Sequence, residues 1–242
     1  NYPNLGVTRE EPGKCILGTA PVEKDGSAYF RVPSGVPVFF QALDASGMAV
    51  QTMRSATHVQ PGTTLSCNGC HEPRNKTPLK KVITMAARRA PSRLSPDPDG
   101  TWPLRYDVLV KPVLDRNCIK CHNPKGEKPK AARFNLAQAP RKTYSMLVRW
   151  GKPSMADHVV SRHKKGASIE GKCVASQSPL LKKIKSHKKL KLSEEDMNRL
   201  VTWMDVYAQF QGSFSLEQEK ELLRLRDKWA DMLVQRKLAR SE

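Results

Sequence analysis

No apolar run in this chain of 242 residues approaches the ~20 residues that a membrane-spanning helix needs. A protein that spans a membrane by helices is thereby excluded. Acid is scarce: 23 Asp and Glu stand against 42 Lys and Arg, a formal net charge of +19. Aromatic residues make up only 6% of the chain. Even so, four Trp, five Tyr and six Phe are enough to seed a core, which argues against full disorder. The length allows one large domain or two small ones. So basic a chain first suggests nucleic-acid binding, and that default depends on where the charge sits.

The charge sits in one segment. Residues 1–66 are neutral, 67–100 carry net +4, 101–192 carry net +17 and 193–242 carry net −2. A Lys run such as Lys182-Lys183-Ile184-Lys185 can be no more than a solvated face. Seventeen net positive charges in one segment also create a field that steers an acidic partner.

Four of the six cysteines form two copies of one motif, Cys67-Asn68-Gly69-Cys70-His71 and Cys118-Ile119-Lys120-Cys121-His122. C-x-x-C-H is the attachment signature of a c-type heme. Two thiols add across the two heme vinyl groups, and the two intervening residues set the span between sulfurs. The His that follows reaches the iron from the proximal side. A zinc ribbon with two C-x-x-C knuckles would suit a basic nucleic-acid binder. Against it stand the His after both knuckles, from only six in the chain, and the 47 residues between the knuckles, Cys70 to Cys118. A thioredoxin-like dithiol would carry one such motif in a βαβ setting. The expectation is therefore two covalently bound c-type hemes and no nucleic acid. Covalent heme attachment places the protein in a bacterial periplasm or another extracytoplasmic space. The chain opens at Asn1 with no signal peptide, which reads as a processed chain or a piece of a longer one. Cys15 and Cys173 remain, either as a pair or as buried free thiols.

The expected fold class is α+β. Between residues 15 and 66, short β-rich runs alternate with the turns Lys24-Asp25-Gly26-Ser27, Pro33-Ser34-Gly35 and Asp44-Ala45-Ser46-Gly47. That rhythm predicts a small sandwich-like domain over residues 1–75 that carries the first heme. A basic, Pro-rich linker follows over 76–100. Residues 101–212 are expected to form a helical domain with the second heme, and 213–242 a C-terminal amphipathic helix. Within the helical domain, residues 104–122 read as a helix with apolar Val108, Leu109, Val113 and Leu114 and a kink or restart at Pro112. Short helices are expected near 143–150 and 178–184, with irregular chain over 151–178. Ser193 caps a helix whose apolar face is Met197, Leu200, Val201, Met204 and Tyr207, and which Gly212 ends. Ser215-Leu216-Glu217-Gln218 is a capping box for a last helix to about Ala239. That helix bears a stripe of Leu222, Leu225, Trp229, Met232 and Leu233. The stripe packs on its own protein or is offered to a partner subunit.

A helix ending in C-x-x-C-H, a long middle stretch and a closing amphipathic helix resemble the layout of a small cytochrome c domain. In that fold the sixth iron ligand comes from the loop before the last helix. Here that loop carries His187 and no Met, so His187 is the expected distal partner of His122, with His158 and His163 as alternatives. For the first heme, His71 is the proximal ligand. His58 is the nearest distal candidate, with Met53, Met48, a more distant His or an open position as alternatives.

The stretch from Gly18 to Glu72 resembles the heme-bearing middle domain of the hydrazine synthase alpha-subunit family. The resemblance rests on Asp25-Gly26-Ser27-Ala28-Tyr29-Phe30, Phe40-Gln41-Ala42-Leu43-Asp44, Gly47 to Ser55, Pro61-Gly62 and Cys67 to Glu72. Val113 to Cys118 and Leu200-Val201-Thr202-Trp203-Met204-Asp205 are similar to the cytochrome c domain that follows in those relatives. The resemblance covers roughly residues 15–214. It implies one heme near a catalytic or ligand-binding site and one that relays electrons. The expected function is a diheme c-type cytochrome that transfers electrons within a larger periplasmic redox complex, docking an acidic redox protein or other subunits of a multi-heme assembly. The alternative is a heme enzyme, hydrazine synthase-like or peroxidase-like, with chemistry at an open first heme.

Overall fold

A computed structural model describes residues 5–8, 12–68, 83–126, 129–166 and 168–234. The chain divides into two compact units that interleave in sequence. The larger comprises residues 1–16, 40–54 and 98–223; the smaller comprises 17–39, 55–97 and 224–242. The expected boundary after residue 75 lies outside the described residues.

The larger unit mixes helix with one small sheet. Strands β1 (Gln41–Leu43) and β2 (Ala49–Thr52) pair antiparallel across the Asp44–Gly47 turn. Asp44 builds that turn by accepting from the backbone amides of Ser46 and Met48, an Asx turn. The helices are α1 (Tyr106–Leu109), α2 (Lys111–Asn117), α3 (Pro129–Ala132), α4 (Pro140–Val148), α5 (Met155–Lys165), α6 (Val174–Gln177), α7 (Pro179–Lys185), α8 (Glu194–Asp205) and α9 (Leu216–Lys228), the last continuing past residue 223.

The helix expected over 104–122 is two pieces. It breaks at Val110 and restarts with Pro112 in the first turn of α2, where a missing N–H costs nothing. Tyr106 is buried with Leu109 and Val110, while Val108 is 37% exposed. Its core neighbours are aromatic. The Tyr106 ring lies 5.5 Å from Tyr144, 5.4 Å from Trp203 and 5.8 Å from Phe210. Such pairs add about 0.5–1.5 kcal/mol each beyond area burial. Tyr106 also donates its hydroxyl to Thr143 Oγ1 at 3.0 Å, which satisfies a buried polar group.

In α8 the Ser193 hydroxyl accepts from Asp196 N as expected. Leu200, Val201 and Met204 are buried, together with Trp203, which the expected face omitted. Tyr207 is not on that face. The helix ends at Asp205, and Tyr207 and Ala208 turn left-handed with φ of 67° and 51°. Gly212 therefore does not end the helix. It lets two backbones meet, since a Cβ there would lie 2.0 Å from the Lys14 carbonyl oxygen and 2.7 Å from Leu104 N.

Residues 151–178, expected irregular, contain α5 and α6. A full capping box starts α5: Ser154 accepts from Asp157 N, and the Asp157 carboxylate accepts from Ser154 N. For α9, Ser215 accepts from Gln218 N, and the Gln218 side chain reaches back to Phe214 N. Trp102 donates to the Leu222 carbonyl, and Arg105 pairs with Glu219 at 2.5 Å. The helix stops at Lys228, short of the expected Ala239, and a 3-10 turn over Ala230–Met232 follows.

In the smaller unit the expected sandwich is replaced by isolated bridges: Thr19 with Ser95, Phe30 with Ser92, Val38 with Thr57 and Leu94 with Leu233. Pro21, Pro33 and Pro37 interrupt its apolar runs, and proline has no amide to give a ladder. The Asp25-Gly26 turn is present, with Gly26 at φ 79°. Its Asp25 carboxylate accepts from Met85 N, and Glu23 pairs with Arg89 at 2.6 Å.

Candidate functional site

The second C-x-x-C-H motif winds directly off the end of α2. Cys118 N donates to the Leu114 carbonyl at 2.8 Å, Cys121 N to the Cys118 carbonyl at 3.2 Å and His122 N to the same carbonyl at 2.9 Å. The turn is helical, so positions 118, 121 and 122 (i, i+3 and i+4) share one face. Both thiols are free; Cys118 is half-buried and Cys121 exposed. Burial, followed by the nearby Asp196 and Asp115 charges, pushes the Cys118 thiol up to about 11, so it is protonated at neutral pH.

The His122 ring is held in place. Its Nδ1 lies 3.2 Å from the Ala131 carbonyl oxygen at the end of α3. A carbonyl only accepts, so Nδ1 carries a proton, which leaves Nε2 as the nitrogen a metal would take. The Phe134 ring stands edge-on at 5.9 Å, and the His122 carbonyl accepts from Leu136 N at 2.8 Å. Two thiols and an imidazole on one helical face, with the imidazole oriented through Nδ1, fit covalent heme attachment.

Asp196 ties the motif to α8. Its carboxylate accepts from the Arg116 guanidinium and from Asn117 Nδ2, the two residues before Cys118. Burial pushes this carboxyl up, but those two hydrogen bonds together with the Arg116 and Arg199 charges hold it below its ordinary value.

Of the first motif, Cys67 is exposed, and Cys70 and His71 lie outside the described residues. His58 is exposed. Its neighbours are engaged: Thr57 bridges Val38, and the Val59 carbonyl accepts from Gly35 N at 3.1 Å. Met48 and Met53 are half-buried in the larger unit. His187 is exposed on the turn after α7, where its amide donates to the Ile184 carbonyl. His158 Nε2 lies 3.2 Å from the Lys172 carbonyl oxygen, so that nitrogen donates. His163 sits in the last turn of α5. Cys15 and Cys173 are both free thiols.

Sequence reasoning missed a buried carboxylate. Asp205, at the end of α8, is 3% exposed. It accepts from Ala49 N at 2.9 Å and from Ala175 N at 2.8 Å, pinning β2 and α6 to the helix end. Burial pushes it up to about 6 despite those two hydrogen bonds. A lone Asp closing an apolar helix face gives no sequence signal of this role.

Residues 7–72 match the family model of the hydrazine synthase alpha subunit middle domain. That stretch is hydrazine synthase-like. Over 68 residues, 28% of this chain, it is 38% identical to hydrazine synthase subunit alpha of Kuenenia stuttgartiensis, and it spans 8% of that protein's length. The match contains the whole first motif, Cys67 to His71. No solved structure matches the chain. Among the described residues, no helix is long and apolar enough to cross a membrane.

Proposed function

We propose that the protein is a diheme c-type cytochrome that carries electrons within a larger, extracytoplasmic redox complex of the hydrazine synthase type. The single observation that carries this reading is the pose of His122. It follows two thiols on one helical face, and its Nδ1 is held by the Ala131 carbonyl. A heme bound at each motif would supply a one-electron iron couple. In the chain, Cys67 and Cys70 would hold the first heme and Cys118 and Cys121 the second, with His71 and His122 as proximal ligands. His187 and His58 would be the distal ligands.

Basic side chains support the docking of an acidic redox protein or of other subunits in the complex. Lys120, Lys125, Lys130 and Arg133 are exposed near the second motif, and Lys182, Lys183, Lys185, Lys188, Lys189 and Lys191 are exposed on and after α7. No acidic residue falls between Glu170 and Ser193 to offset the second group.

The deciding experiment is the visible spectrum of the protein purified from a host able to attach c-type heme. Sharp Soret and α bands and a pyridine hemochrome of two hemes per chain are expected. A colourless protein holding zinc would overturn the reading. The match of residues 7–72 to a hydrazine synthase domain favours a second reading, in which the first heme has an open position and performs chemistry. Adding carbon monoxide to the reduced protein separates the two. A six-coordinate first heme leaves the spectrum unchanged, and an open one shifts its Soret band.

A further inference from the structure

The exposed basic side chains of the larger unit lie on two faces, and the two differ in what surrounds them. Near the second motif, charges of both signs are interleaved. Asp115 pairs with Lys111, Asp196 pairs with Arg116, and Glu127 falls between Lys125 and Lys130 in the chain. On α7 and the turn after it, one sign prevails. Lys182, Lys183, Lys185, Lys188, Lys189 and Lys191 stand within ten residues and are all exposed. Asp44 offsets Lys185 in part. The next acids in the chain, Glu194 and Glu195, open α8, where Glu195 pairs with Arg199.

This basic face is held on a fixed base. Leu180 and Leu181 are buried, and the Ser178 hydroxyl accepts from Leu181 N. The turn after α7 is closed by His187 N donating to the Ile184 carbonyl and Leu190 N to the His187 carbonyl. Ile184 and Leu192 pack on the core at either side of that turn. The lysines therefore project outward around His187, which lies between Lys185 and Lys188.

The same ten residues hold no Trp, Tyr or Arg, the side chains that anchor tight interfaces. Dense charge without anchors steers encounter and sets the association rate, and it adds little to residence time. Such a face suits a partner that docks and leaves, as opposed to a permanent subunit.

We propose that α7 and the turn after it form the docking face for an acidic, diffusible one-electron carrier that binds transiently and exchanges electrons with the second heme. The proposal rests on the diheme reading and narrows its partner to a mobile carrier at this one face.

The test is stopped-flow reduction of the full-length, heme-loaded protein by reduced flavodoxin, an acidic carrier. The second-order rate constant is expected to fall steeply as salt is added. Lys183→Glu with Lys188→Glu should lower the low-salt rate constant by about tenfold or more and flatten its salt dependence. Lys125→Glu with Lys130→Glu, the same change in charge on the motif face, should lower it less than about threefold. Reduction by lumiflavin, a small flavin without the phosphate, should run equally fast in all three proteins, which shows that fold and hemes are intact. A protein with no hemochrome fails the diheme reading before any kinetics. In a heme-loaded protein, a salt-independent reaction, or a motif-face variant as slow as the α7 variant, overturns the docking face. A flavodoxin complex that survives gel filtration at physiological salt overturns transient docking.

Discussion

The Nδ1 atom of His122 and the carbonyl oxygen of Ala131 stand 3.2 Å apart, nine residues along the chain. That contact places a proton on Nδ1 and leaves Nε2 as the nitrogen that would bind the iron of a heme on Cys118 and Cys121. Replacing Cys118 and Cys121 together with Ala should halve the heme content in the pyridine hemochrome assay. A heme content unchanged from the native protein would show that this motif holds none.

The distal ligands have a spectroscopic signature. If His187 and His58 complete two six-coordinate irons, each His→Ala variant converts one heme from low to high spin in the electron paramagnetic resonance spectrum. The other heme stays as it was. A wholly low-spin His187→Ala protein would move the ligand elsewhere, and His163 is then the next residue to change.

Asp205 predicts a pH dependence of stability. Its folded-state value of about 6 lies above its ordinary 3.8. The contribution of this group is therefore complete below about pH 4 and is lost as pH rises through 6, a change of about 3 kcal/mol. Urea unfolding from pH 4 to pH 7 should show native stability falling relative to Asp205→Asn across that window. The Asn variant is less stable at every pH, because its amide group faces one of the two backbone N–H donors. A parallel pair of curves would show that the carboxyl does not titrate in this range.

Asp196 couples α8 to the turn that carries Cys118. Asp196→Ala leaves Arg116 and Asn117 without their shared acceptor and should cost about 2 kcal/mol. Hydrogen exchange of the Cys118, Cys121 and His122 amides should accelerate more than that of α4.

Gly212 is a test of close backbone contact. A methyl group there meets the Lys14 carbonyl and Leu104 N, so Gly212→Ala should destabilise the larger unit by about 3 kcal/mol or more, read as a drop in the thermal midpoint. An unchanged midpoint would mean that residues 13–14 can withdraw freely.

What could be read beforehand was local. The Ser193 cap, the Pro112 restart and the Asp25-Gly26 turn all sit where the residues place them, because each is decided within a few positions. The Ser154–Asp157 capping box carried the same kind of signal, and the surrounding Gly, Lys and Ser residues obscured it. The sandwich was misjudged because β structure depends on partners distant in sequence. Here Ser92, Leu94 and Ser95 bridge Phe30, Leu233 and Thr19, pairings that no alternation pattern specifies. The role of Asp205 likewise arises only when β2, α6 and the end of α8 meet.

The bridge between Leu94 and Leu233 bears on the order of assembly during synthesis. Leu94 N donates to the Met232 carbonyl, and Val234 N donates to the Leu94 carbonyl. The smaller unit draws on residues 17–39, 55–97 and 224–242. It therefore cannot close until residues 224–234 have left the ribosome, roughly 10 s or more after residue 97 at ordinary elongation rates. If Cys67 takes a heme as proposed, an attachment machinery that modifies unfolded chain has that interval in which to act before the smaller unit closes.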